Sequence, residues 1–253
     1  MSALAFAAFV FIATFLAALA GFQLQQFVPE KYTDEATEGH IKVVLGMLSM
    51  LTTVVLGFVT AEAKTSFDNA AEIISDSAVR LVSIDRVLAD FGDEAAGVRG
   101  RIKQAAKDWI ARIHSSEGDA YSDLRAVRRG DELEDVFDGI KALKPKSDAL
   151  ARDQARATDL ADGILHDRWV LTTERASSTP TVFLFVVLAW VAIEFFIFGL
   201  FATRNAAVMA ATFLGALTVA SAMFLVLDLE GPMTGPMRVS TNTLERAVAI
   251  MGQ

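Results

Sequence analysis

An all-α membrane protein is the fold class this sequence predicts, with four transmembrane helices and a cytoplasmic helical bundle inserted between spans two and three. Three observations carry the prediction. Four stretches have the roughly 20 mostly apolar residues that a helix needs to cross a hydrocarbon core of about 30 Å. One charged block lies between the second and the third. Nowhere does polarity alternate as it does along a strand. The chain is 53% hydrophobic yet 21% charged, with a mean hydropathy of +0.40. A soluble globule would intersperse these two populations, and here they are segregated.

The first span runs from about Ala3 to Gln26. Ala18-Leu19-Ala20 resembles a cleavage site, but Met1-Ser2 carries no positive charge, so a retained span is expected rather than a signal peptide. The second runs from about Ile41 to Ala63, the third from Thr181 to Ala202 and the fourth from Ala206 to Leu227. Ser178 or Thr179 can cap the third, and Pro180 suits its first turn, where no amide donor is needed. Thr203-Arg204-Asn205 joins spans three and four as a tight antiparallel hairpin, and Gly231-Pro232 stops the fourth.

These elements divide the chain into spans one and two (1–63), a cytoplasmic helical domain (64–178), spans three and four (179–230) and a C-terminal tail (231–253). Near the membrane, Lys64, Arg80, Arg168, Arg175, Arg238 and Arg246 lie on one side and Lys31, Lys42 and Arg204 on the other. The positive-inside rule therefore places both termini and the inserted domain in the cytoplasm.

Residues 64–175 hold 18 Lys and Arg against 22 Asp and Glu, within a chain of net charge −8. That balance argues against nucleic acid as a partner. Phe67, Ala71, Ile74, Ala78, Leu81, Leu88 and Phe91 recur at helical spacing, so span two is expected to continue as one long helix to Gly92. A second helix carries Val98, Ile102, Ala105, Trp109 and Ile113. A short one carries Leu133, Val136, Phe137, Ile140 and Leu143. A last one, from Ser147, carries Leu150, Ala157, Leu160, Ile164 and Leu165. Arg125, Arg128 and Arg129 could touch anionic lipid or form a solvated face.

No enzyme is expected. There are no cysteines, and His40, His114 and His166 are isolated, with no metal-ligand spacing. Gly92, Gly97 and Gly100 follow no strand and make no phosphate loop. No nucleophile elbow occurs, and no cofactor is implied.

Span two carries the most suggestive pattern. Gly46, Ser49, Thr53, Gly57 and Thr60 share one helical face amid Val, Leu, Met and Phe. Such a stripe can line a hydrated pore, its hydroxyls replacing part of an ion's water shell. It can equally let helices approach closely, with hydroxyls bonding across. Both readings stay open. Glu194 is the charged residue well inside a span, costly there and a functional candidate by default, or else a group that snorkels outward. Its neighbours Phe195, Phe196 and Phe198 are expected to face lipid. Asp228 and Glu230 could bind a cation, pair with Arg238 or mark the membrane boundary.

Three stretches resemble a bacterial membrane protein family described as bestrophin-like. The first is Leu45-Gly46 through Leu56-Gly57 with Phe67-Asp68. The second is Ile84-Asp85-Arg86-Val87-Leu88, then Phe91-Gly92, Glu94-Ala95 and Arg99. The third is Trp190, Phe198-Gly199-Leu200, Ala202, Arg204-Asn205, Leu225 to Asp228, Gly231-Pro232, Gly235 and Arg238-Val239-Ser240. Thr203 and Met233 stand where the family pattern has proline and phenylalanine, which alters turn stiffness and leaves the topology. The resemblance marks Asp85, Arg86, Asn205, Asp228, Gly231, Pro232 and Gly235 as motif residues.

Bestrophins are oligomeric anion channels with four spans per subunit. The resemblance thus implies a homo-oligomer in the lipid bilayer of the bacterial inner membrane, passing a small inorganic ion, an anion by analogy. Two other readings remain. One is a non-conducting scaffold or signalling subunit whose cytoplasmic bundle binds a protein. The other is a proton-coupled carrier using Glu194, against which the absence of broken spans weighs.

Overall fold

The computed structural model describes residues 2–29, 35–115, 131–174, 181–231 and 235–252. All regular structure among them is helical, as the sequence predicts. In chain order the helices are α1 (Ala3–Leu24), α2 (Glu35–Ala89), α3 (Asp93–Ser115), α4 (Asp131–Lys141), α5 (Asp148–Glu174), α6 (Thr181–Phe201), α7 (Ala206–Leu229) and α8 (Asn242–Ile250). Four of them, α1, α2, α6 and α7, are long and apolar enough to cross a membrane. The chain divides into two compact units, Met1–Ser66 with Ser178–Glu230, and Phe67–Ser177 with Gly231–Gln253.

Helix ends in the first unit have local causes. The Ser2 hydroxyl accepts from the Ala5 amide at 3.3 Å and starts α1. Asn205 starts α7, its side-chain oxygen accepting from the Val208 amide at 2.8 Å. That contact gives the motif asparagine its physical role. The Arg204 guanidinium donates to the Phe22 carbonyl, one of the last carbonyls of α1 that no helical amide can reach. The proposed caps Ser178, Thr179 and Pro180 lie outside the described residues.

α1 packs against α6 and α7. At the α1–α6 crossing the backbones nearly touch. A side chain on Gly21 would run into the Phe196 carbonyl and the Leu200 amide, and one on Gly199 would run into the Ala18 carbonyl. Lipid tails are as apolar as leucine, so close packing rather than water exclusion must hold membrane helices together, and glycine permits it. Rings fill the wider parts of the interface. Phe185 of α6 meets Phe6 edge-on at 6.0 Å, and Phe213 of α7 meets Phe11 at 5.3 Å.

The second unit has an ordinary soluble core. Ile74, Leu81, Ile84, Leu88, Val98, Ile102, Val136, Phe137, Ile140, Ala157 and Ile164 are buried, so the faces read from helical spacing do turn inward. Gly92 adopts the left-handed φ of +62° that stops α2, and Asp93 and Glu94 follow in the first turn of α3, where negative charge suits the helix dipole. Gln154 donates to the Ile140 and Leu143 carbonyls at 2.9 and 2.8 Å and so closes the end of α4. Arg125, Arg128 and Arg129 lie outside the described residues.

The segment expected as a C-terminal tail carries a helix that the sequence reading missed. Leu244, Ala247, Val248 and Met251 of this segment are buried in the core of the second unit, and α8 packs on α3. Their spacing of three, one and three was a legible amphipathic signal. Its far end is held by charge. Asp85 accepts from Arg99 Nε and Nη2 at 2.8 and 2.9 Å and from the Gly252 amide at 2.9 Å, and Lys103 Nζ donates to the Met251 carbonyl at 2.6 Å.

Asp85 lies in the charged half of α2, well past the apolar stretch that ends near Ala63. Burial pushes its carboxyl upward, but the Arg99 hydrogen bonds, the Gly252 amide and the charges of Arg99 and Lys103 outweigh burial and leave it below its ordinary value of 3.8. A lowered folded-state value stabilises above the unfolded value and loses that contribution as pH falls through the folded one.

Three outcomes follow. Asp85→Ala should destabilise the protein by about 3 kcal/mol, because Arg99 and the Gly252 amide lose a buried acceptor. Thermal unfolding in detergent should show this, and the extra loss of stability that the wild type suffers below pH 3.8 should shrink in the variant. Gly199→Leu should prevent the α1–α6 approach and cost about 3 kcal/mol or more. Gly97→Ala, with open space around its α-carbon, should be neutral or stabilise by up to about 1 kcal/mol.

Candidate functional site

Within α2, residues 43–61 carry no charge and are mostly apolar, and what covers this stretch defines the site. Its buried residues, Thr52, Val59 and Ala63, fall on one face. Large apolar residues elsewhere on the same turns are exposed, among them Val43, Met47, Met50, Val54 and Phe58. Only 11% of the apolar window of α2 is buried, against 28% for each of the other three spans. That window of α2 is the least covered by its own chain.

Glu194 meets α2 at this sparse interface. It sits about 20 Å along α6, counting 1.5 Å per residue from Thr181. Its Oε1 accepts from Thr52 Oγ1 at 2.7 Å and its Oε2 from Ser49 Oγ at 3.1 Å. Each carboxylate oxygen thus has a donor from α2, and the group is half-buried rather than turned to the lipid. Other hydroxyls in the apolar segments behave differently. Thr14, Thr53, Thr60, Thr212, Thr218 and Ser221 donate to the carbonyl four residues back in their own helices, at 2.7 to 2.9 Å.

The predicted stripe is therefore split by the fold. Ser49 is shared with Glu194. Gly46, Thr53 and Gly57 face outward, and a side chain added to either glycine would meet nothing within 4 Å. Thr60 is half-buried. Thr52 was not singled out in the sequence, because Thr52 and Thr53 lie 100° apart on the helix and the spacing pattern favoured Thr53. The usable signal was that a hydroxyl three residues from Ser49 can join it on one acceptor.

One expectation about the surroundings of Glu194 changes. Phe195 does not face lipid alone, since its ring lies against Gly215 of α7. Phe198 is exposed, as expected. Arg204 serves the end of α1.

The remaining motif residues are scattered. Asp85 holds Arg99 and Gly252, and Arg86 beside it is exposed. Asp228 is buried at the end of α7, and Glu230 carries one buried carboxylate oxygen that no described donor reaches. Gly231 is half-buried. Gly235 has a φ of +86° and its carbonyl accepts from Arg238 Nε at 2.9 Å. Pro232 lies outside the described residues. Among the described residues, no three His, Cys, Asp or Glu side chains come together to hold a metal.

No curated protein is similar enough in sequence to match. Solved structures do match in fold. An isoleucine-to-threonine mutant of a bacterial bestrophin homologue from Klebsiella pneumoniae aligns with a TM-score of 0.69 at 16% identity, over 97% of this chain and 99% of that one. A tryptophan-to-alanine mutant of that homologue gives 0.68 at 16% identity, over 100% and 99%. A proline-to-alanine variant described as a membrane protein gives 0.65 at 16% identity, over 98% of each chain. The family profile of the bestrophin-like domain matches residues 12–244. With four membrane-length helices and a match over most of its length, the chain belongs to the bestrophin-like family of membrane proteins.

Proposed function

We propose that the chain assembles into a homo-oligomeric ion channel of the bacterial inner membrane, with the first half of α2 along the axis. Four spans enclose an ion path poorly in one chain, and a ring of copies would supply the missing walls. The observation that carries the reading is the bare surface of α2. Among the described residues it is the least covered span, and Gly46, Thr53 and Gly57 open onto space that those residues do not fill. Neighbouring copies would cover its apolar residues, leaving the hydroxyls and small residues towards the path. Both termini and the second unit would lie in the cytoplasm, on the side that the basic residues favour. Bestrophins as a family suggest anions as the permeant species.

The test is flux through purified protein in liposomes, with chloride and potassium gradients applied separately. Flux is expected. Thr53→Val keeps the side chain's shape and removes a hydroxyl now bonded to the Ser49 carbonyl. It should change conductance by about fivefold, the factor that about 1 kcal/mol represents, with the oligomer's mass unchanged. Unaltered conductance would remove α2 from the path. A well-folded oligomer that passes neither ion would favour the scaffold reading instead.

A further inference from the structure

The charge balance of the membrane segments points to the class of ion. Residues 3–27, 43–63, 182–201 and 206–227 contain no Lys, Arg or His. The acidic residues in them are Glu194 and, at the end of the α2 stretch, Glu62. At the margins, Lys42 pairs with Glu38 at 2.6 Å and Arg204 is bound to the Phe22 carbonyl. No fixed cation in these segments is thus available to balance Glu194. Ser49 and Thr52 donate one hydrogen bond to each of its oxygens, which stabilises a carboxylate without cancelling its charge.

Ser49 is half-buried, between the outward-facing Gly46 and Thr53 on one side of α2 and Glu194 on the other, so the carboxylate stands behind the face assigned to the path. We propose that Glu194, held by Ser49 and Thr52, is the selectivity-determining residue of the path and makes it prefer monovalent cations over chloride. This rests on the channel reading above and replaces the anion expected by analogy. In a ring of copies the carboxylate repeats once per subunit. Water is scarce at this depth, so the field of such a ring is weakly screened, drawing cations in and turning anions back. The half-buried Ser49 hydroxyl presents an oxygen of the kind that replaces part of a cation's water shell.

The experiment is the potassium-to-chloride permeability ratio of the reconstituted full chain, from the zero-current potential in a KCl gradient. The wild type should favour potassium. Glu194→Gln keeps the size and one acceptor oxygen, and the ratio should fall by about tenfold or more, within the reach of one unit charge a few ångströms from the ion at an effective dielectric near 20. Glu194→Asp keeps the charge and should retain the potassium preference, which guards against a Gln variant that does not fold. A wild type that favours chloride, or a conducting Gln variant with an unchanged ratio, overturns the assignment and leaves the channel reading intact. An intact oligomer with no flux of either ion overturns the channel reading, and this one with it.

Discussion

A carboxylate at the depth of a bilayer has no bulk water to solvate it, and the membrane unit is arranged around that constraint. Glu194 meets it with two hydroxyl donors, Ser49 and Thr52, both supplied by α2. The same contact gives α2 a polar tie to α6 in a region where it buries few side chains of its own. A leucine at position 194 would need no partner, and nothing polar would then specify which face of α2 turns towards α6. Polar ties of this kind specify a rotation of one helix against another, which dispersion between apolar surfaces does weakly.

The rest of the membrane unit relies on shape. Gly21 and Gly199 allow two backbones to meet where any side chain would intrude, and phenylalanine rings fill the space where the helices diverge. A bilayer offers no hydrophobic driving force between spans, so each ångström of close approach matters to the dispersion energy. Arg204 and Asn205 then serve the helix ends, one satisfying a terminal carbonyl of α1 and the other a terminal amide of α7. Two residues of a short turn thus close two helices, which accounts for a motif that a list of functional residues would misread as a site.

The second unit obeys the rules of water-soluble proteins. Its core is a continuous set of aliphatic and aromatic side chains, and its buried charges are paired. Asp85 is held by Arg99, the Gly252 amide and the nearby charge of Lys103, and Asp167 is held by Ser77 at 3.1 Å and Arg80 at 3.4 Å. Gly163 makes room for the Arg80 guanidinium, which a side chain there would strike. One helix, α2, belongs to both units, apolar over its first half and amphipathic over its second.

By itself the sequence determined the fold class, the four spans and the long second helix with its stop at Gly92. Each depends on local chemistry: about 20 apolar residues to match a bilayer, a 3.6-residue period, and a glycine where φ turns positive. The inward faces of the second unit were legible for the same reason. α8 was written in its apolar spacing and went unread, because nine residues make a short signal. What only the tertiary structure decided is which side chains meet across helices. Ser49 and Thr52 lie 142 to 145 residues from Glu194, and Asp85 lies 167 from Gly252. The backbone clearance at Gly21 and Gly199 is likewise a property of two helices together. Periodicity specifies a face, but the rotation that brings that face to a particular partner is set by packing, and packing is not local in the chain.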